Sequence, residues 1–484
     1  MASAGLAQRW SAGLWWLAGA ATALPLLAAA ARYPLHPALV VAALAALAAA
    51  ALLVLHDPAW GACALIVIIY WNASDVITDT WGFTWVLRLA IAGTLAAALW
   101  DVLLAPGPRR WRWPVLAPFL AYGAAQAAAA IGAGDPAAAQ AALVEYGKAL
   151  AVFYLVANLL RSPRALRWGA NAVLAAVLLL AAPVIYQGLT SSGNTFWGFG
   201  ARIWEQIVPG EFGWRLGGAM GDPNFLAMVL VAALPLALLQ ALETRAGWLR
   251  RGFALAAAAA ALAATLFTYS RGAFIGIALV LGVLALRHRR RAWVLAGVLA
   301  ALLAGVALQP QNLAARLASL LQLIRVQQTL LPDTSFQVRR NALYAGGLMF
   351  LSHPLLGVGP GNFPDSYLKY SALVGLANDP TLRDPHDLYI QIAAETGLAG
   401  IAAFCWLMLA SFRLMERGRR RLRRLGADHF ADLIWALELA LATYLVLSLF
   451  LHAAYFRHFL LLLALGTTAG AIATEHPTPA GARA

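Results

Sequence analysis

Charge is scarce in this chain, and cysteine nearly absent. Only 12% of its 484 residues are charged, whereas 62% are hydrophobic and the mean hydropathy is +0.72. A soluble protein holds roughly 45–50% apolar residues, so a water-soluble globule is excluded. The two cysteines, Cys63 and Cys405, both sit inside apolar runs. Neither a disulfide framework nor a cysteine metal-ligand spacing is on offer. Acidic residues number 21 against 35 basic ones, a net charge of +14, yet the excess is nearly all arginine in short clusters between apolar runs. That pattern orients membrane helices rather than binding nucleic acid. No internal repeat is visible, which disfavours an inverted-repeat transporter.

What is abundant is apolar sequence in runs near the ~20 residues a helix needs to cross a bilayer. These predict an all-α, polytopic membrane bundle. Candidate spans fall near 12–31, 37–55, 60–78, 83–105, 114–132, 140–160, 169–189, 223–242, 252–270, 272–286, 292–308, 388–412, 432–451 and 455–474. The 272–286 run is short and some early runs read equally as re-entrant, so the expectation is 12 to 14 spans. The first 31 residues, with Arg9 and an Ala-rich end, read as a retained first helix rather than a cleaved signal. Arginine clusters at 109–112, 161–167, 250–251, 287–291 and 417–424 fall in alternate gaps. They place both termini on one side and two long segments, about 190–222 and 309–387, on the other. The chain thus divides into a transmembrane bundle at 1–308, a loop domain at 309–387 and closing helices at 388–484. Within the loop, Leu313, Leu317, Leu320, Leu321 and Ile324 recur at helical spacing; such a helix packs on the bundle or lies at the membrane surface.

A few titratable groups collect on the side of the long loops. In RDPHDLYIQIAAETGLAG, His386 stands between Asp384 and Asp387 where the next helix begins. A helix N-terminus favours the neutral imidazole, which suits a general base. Two other readings stand beside it: a histidine that merely satisfies the helix end, and a metal set of Asp384, His386 and Asp387. Arg271, in FTYSRGAFIG, interrupts two apolar runs, so it is either partnered for function or snorkelling to lipid phosphate. Arg215 lies in GWRLGGAMGDPNFLAM, where Asp222 and Pro223 open a helix and Asn224 enters it. Arg339 and Arg340 precede a short apolar helix and the turn GVGPGNF at 357–363, which lacks the lysine and strand context of a nucleotide loop. A solvated pair is the plain reading of these adjacent arginines. Arginine forks bind phosphate bidentately, so several of them with one neutral histidine suit a lipid-linked pyrophosphate.

The order RLGGAMGDPNFLA, YSRGAFIG, VRRNALY, HPLLGVGPGNF and PHDLYIQIAAETGLAG, over about residues 200–400, resembles the O-antigen ligase and O-antigen polymerase superfamily. The resemblance implies a metal-independent bacterial inner-membrane glycosyltransferase of the GT-C type, with no cofactor. It implies an undecaprenyl-pyrophosphate-linked O-antigen donor, a lipid A-core oligosaccharide acceptor and a site facing the periplasm. By the same resemblance Arg271 matches the arginine of the Ser-Arg-Gly motif and His386 the histidine before the C-terminal helix. Arg340 matches the arginine upstream of the turn better than Arg339, because Tyr344 follows it, and Arg215 matches a basic position ahead of Pro-Asn. Asp387 departs from the asparagine usual after that histidine. Glu395 is placed to brace His386.

Ligase is the expected activity, with a polymerase or a protein-glycosylating relative as rivals in the class. A lipid or polysaccharide transporter is the rival from another class. It draws on Glu145, Lys148, Glu395 and Glu438, which lie in apolar runs.

Overall fold

The computed structural model describes residues 52, 54, 56–104, 111–208, 211–243, 247–287, 334–373, 384–452 and 457–475. The spans expected at 12–31 and 292–308, most of that at 37–55, the amphipathic helix near 311–331 and both termini lie outside the described residues. Seven described helices are long and apolar enough to cross a membrane, or eight if one bent pair is a single span.

In chain order the helices are α1 (Ala59–Tyr70), α2 (Ala73–Trp81), α3 (Val86–Leu104), α4 (Leu116–Ile131), α5 (Pro136–Leu159), α6 (Pro163–Thr190), α7 (Pro223–Leu242), α8 (Trp248–Phe267), α9 (Arg271–Arg287), α10 (Thr334–Ser352), α11 (Phe363–Leu373), α12 (Leu388–Arg424), α13 (Asp428–Leu447) and α14 (Arg457–Glu475). Three of them start in the same way. Asp135, Ser162 and Asp222 cap with their side-chain oxygens while a proline takes the first helical position, where its missing N–H leaves nothing unpaired. α7 and α14 form the centre, with 83% and 89% of their apolar windows buried. Against α7 pack α8, α9 and α13; against α14 pack α5, α12 and α13.

Two expected helices differ in shape. The run at 60–78 is two helices, α1 and α2, bent by 56°. The break falls at Asn72, whose backbone is left-handed (φ 58°) and whose side chain donates to the Ala219 carbonyl at 2.9 Å. The run at 388–412 continues to Arg424, because nothing in its arginine-rich end stops a helix before Gly426. There Glu416 holds Arg419 and Arg420, and Arg423 holds Asp428 and Asp432.

The segment read as a loop at 190–222 contains the described β-structure, an antiparallel hairpin of β1 (Ala201–Val208) and β2 (Glu211–Gly218) with Trp204 opposite Trp214. The two indoles meet edge to face at 5.2 Å and Arg202 lies over the Trp214 ring at 4.2 Å. β2 packs on α6 and α7.

α12 is broken at Gly397 (φ 61°, ψ −157°). Its first half carries a separate small core, with Ala394 against Ala342, Ala345 and Met349 of α10 and Phe363, Tyr367 and Tyr370 of α11. The groups freed by the break are taken up by the turn between α10 and α11. Val358 and Gly359 donate to the carbonyls of Ala394 and Glu395 at 2.8 and 3.0 Å, and Leu398 and Ala399 donate to those of Pro354 and Leu355 at 2.8 and 3.2 Å. The glycine-rich turn is therefore a brace for a discontinuous helix, and no buried backbone group need go unpaired.

Candidate active site

His386 precedes α12 by two residues, and Asp387 caps that helix by accepting from the amides of Tyr389 and Ile390, both at 2.8 Å. The Leu388 amide donates to the Ser448 carbonyl at 2.9 Å, which clamps this turn to the end of α13. His386 is half-buried and takes a left-handed backbone (φ 51°), a conformation uncommon for a residue with a side chain and often retained at functional sites. Desolvation is the main cause that pulls its pKa down to about 4, helped by the nearby charges of His452 and Arg339 and opposed by Asp384 and Asp222. At neutral pH the imidazole is neutral and able to accept a proton. Burial pushes the Asp387 carboxyl above the usual range, while the two capping amides pull the other way.

Groups from the start of α7, from α10 and from the turn after α13 bear on this histidine. Arg339 comes from α10, on the face that also buries Ala342, Ala345 and Met349, and its charge bears on His386. Arg340 falls on the opposite face with Leu343 and Tyr344 and is exposed. Helical register thus separates the two neighbours, and the one whose charge bears on His386 is Arg339, not Arg340, which the resemblance matched better. Arg271 opens α9, half-buried, two residues after Tyr269, another left-handed residue (φ 52°). A side-chain carbon on the adjacent Gly272 would lie 3.3 Å from the Phe450 ring, so α9 begins against the turn that follows α13.

Arg215 is buried on β2 and spreads its fork over three partners. Its Nε donates to the Thr268 carbonyl at 2.9 Å, Nη1 meets Glu205 Oε2 at 2.7 Å and Nη2 donates to Asn224 Oδ1 at 2.8 Å. It ties the hairpin to the start of α7 and to the turn leading into Arg271. Glu205 is half-exposed, so the hydrogen bonds to Thr268 and Asn224 contribute more than that ion pair. Glu395 is fully buried, and the Gln391 amide approaches it at 3.5 Å. It lies two residues before the break in α12, where its carbonyl accepts from Gly359.

Sequence reasoning passed over His452. It follows α13, and its ring stands edge to face with that of His386, centroids 5.8 Å apart. Its Nε2 is 3.7 Å from Asp384 Oδ2, and its ring packs on Phe225 at 6.0 Å. The available signal was its position, a histidine at the end of an apolar run on the same side as His386. Among the described residues no group of three or more His, Cys, Asp or Glu side chains could hold a metal ion, so Asp384, His386 and Asp387 do not converge as ligands.

Of the charged residues that the transporter reading draws on, Glu145, Lys148 and Glu438 are ion-paired. Lys148 holds Glu145 one turn away, Arg457 bridges Asp75 at 2.9 Å and Glu145 at 3.3 Å, and Arg419 meets Glu438 at 3.1 Å. The first set lines a cavity of about 490 Å³ between α2, α3, α5 and α14.

Residues 256–405, just under a third of the chain, match the family described as O-antigen ligase. The matched stretch runs from α8 through the break in α12 and includes Arg271, Arg339, Arg340, His386, Asp387 and Glu395. Arg215, Asn224 and His452 lie outside it. No curated protein matches the chain.

Proposed function

From the O-antigen ligase domain at residues 256–405, we propose that this membrane protein transfers a preassembled polysaccharide from undecaprenyl pyrophosphate to a sugar hydroxyl of lipid A-core. The observation that carries the reading is a histidine held in its neutral form beside arginine, at one end of an apolar bundle. His386 takes the proton of the acceptor hydroxyl as its oxygen attacks the anomeric carbon, and the bond from that carbon to the pyrophosphate oxygen breaks. Arg339 and Arg271 stabilise the charge on the departing pyrophosphate, where guanidinium forks match phosphate geometry. Arg215, with Asn224, positions the hairpin and the turn before Arg271; Arg340 lies at the rim. Asp387 and Glu395 support His386 through the first half of α12.

A single displacement with one base inverts the anomeric centre, and this end of the bundle faces the periplasm of a bacterial inner membrane in a GT-C-like arrangement. No metal or cofactor takes part. The test is reconstitution of purified protein with lipid-linked glycan and lipid A-core, in chelator, comparing wild type with His386→Ala and Arg271→Ala. Transfer lost in both folded variants supports the ligase. Elongation of the lipid-linked glycan without modification of lipid A-core moves the reading to a polymerase, and a product of retained configuration overturns the single displacement.

A further inference from the structure

The geometry points to His452 as the group that removes the proton from His386 after each transfer and delivers it to Asp384 at the exposed rim. This rests on the reading of His386 as the base.

Two features of His452 call for a role beyond packing. Its Nδ1 is buried and has no hydrogen-bond partner among the described residues, whereas buried polar atoms are nearly always paired. A histidine present only to fill space against Phe225 would cost less as an apolar residue. Its other nitrogen faces the carboxylate of Asp384, which is about half-exposed. One ring thus has an unpaired atom on the buried side and a carboxylate on the solvent side. Imidazole can accept at one nitrogen while giving up the proton from the other.

Transfer leaves His386 as an imidazolium, and the site cannot turn over until that proton departs. Arg339 from α10 repels a lingering positive charge there, and Asp222 at the start of α7 and Asp384 attract it. The two rings also repel each other when both are charged, which disfavours a lingering charge on His386. The proton leaves His386 and enters Nδ1 of His452, directly or through one bridging water across the 5.8 Å ring separation. Nε2 then releases its own proton to the Asp384 carboxylate, which exchanges it with bulk water. The electron pairs involved are those of one His386 nitrogen, the two His452 nitrogens and the carboxylate, and proton exchange with water returns His452 to its Nε2–H tautomer before the next transfer. The Leu388 to Ser448 hydrogen bond fixes the two turns in register for this exchange.

The experiment uses full-length protein in lipid nanodiscs and measures glycan transfer against buffer and imidazole concentration. Wild type should be indifferent to both. His452→Ala should turn over roughly tenfold or more slowly in dilute buffer, in keeping with the loss of a positioned proton carrier, and should recover as imidazole rises. Asp384→Asn should show a smaller loss with the same recovery. A His452→Ala rate equal to wild type in dilute buffer, or one that imidazole does not restore, overturns the relay. A second arm does not depend on transfer. Histidine-labelled protein is titrated by NMR, with the His386 signal identified by its loss in His386→Asn. Replacing His452 by Gln should raise the pH at which His386 titrates, since a neighbouring charge is removed; an unchanged titration overturns the coupling. Absence of transfer by wild type would count against the ligase reading alone, because the titration still decides whether the two rings are coupled.

Discussion

Replacing Gly397 by Ala should destabilise the protein far more than an ordinary helix substitution. Its backbone (φ 61°, ψ −157°) lies in a region that side-chain-bearing residues scarcely enter, a strain of about 1–3 kcal/mol. The added carbon would also sit 2.5 Å from the carbonyl carbon and oxygen of Leu355 and 2.6 Å from the Leu356 nitrogen. Those are backbone atoms held in place by the bonds from Leu398 and Ala399, so withdrawal forfeits them at about 1 kcal/mol each. The expected loss is roughly 3–5 kcal/mol. Gly282 in α9 is the control, since nothing lies within 4 Å of its added carbon; there Ala should be neutral or stabilising by about 0.5–1 kcal/mol. Thermal unfolding in detergent, followed by near-ultraviolet circular dichroism and compared for the two variants, measures the difference. If Gly397→Ala melts within a degree or two of Gly282→Ala, the break in α12 is not fixed by the brace, and the positioning of His386 by that half-helix loses its basis.

The depressed titration of His386 predicts a pH profile. Protonation removes its ability to accept, so kcat/KM should hold between about pH 8 and 5 and fall only as pH drops through about 4; an acid limb near 6.5, the ordinary histidine value, would refute the environment described. Bound pyrophosphate is negative and raises the same pKa, so the acid limb of kcat should lie above that of kcat/KM. Arg339→Ala should lower transfer by about 10²–10³-fold, as loss of a charge-stabilising donor does elsewhere, while Arg340→Ala stays within about threefold; steady-state kinetics on both variants decides it. Arg215→Lys keeps the charge but loses the fork, and should cost about 2 kcal/mol of stability by chemical unfolding; Glu205→Gln should cost under ~1 kcal/mol because that carboxylate is half-exposed.

The start of α7 was legible in the sequence because it depends on the adjacent pair Asp222-Pro223; Asp135-Pro136 and Ser162-Pro163 carry the same signal, but hydropathy alone puts those runs at 140–160 and 169–189, several residues late. The hairpin was passed over because hydropathy cannot separate strand from loop, although the Pro209-Gly210 dipeptide between two eight-residue strands is a turn signal. The break at Gly397 was hidden for a different reason. A glycine in an apolar run is common, and only the distant turn at 353–359 supplies the partners that make the interruption tolerable. Arg339 and Arg340 could be told apart only once the buried face of α10 was known. His452 requires knowing that the end of α13 lies against the start of α12, a contact between residues more than sixty positions apart.

That the site draws on β2, α7, α10, the turn before α12 and the turn after α13 bears on how the chain acquires activity during synthesis. The groups around His386 enter in the order Asp222, Arg339, Asp384, His452, and loop closure over such separations is slow relative to local helix formation. A ribosome that has finished the stretch of family likeness, up to Cys405, has not yet delivered α13 and the turn that clamps His386 in place. On the proposed reading the site therefore stays incomplete until α13 and the turn after it are made, and a fragment cut to the matched stretch would lack Asp222 and His452 at the two ends of that site.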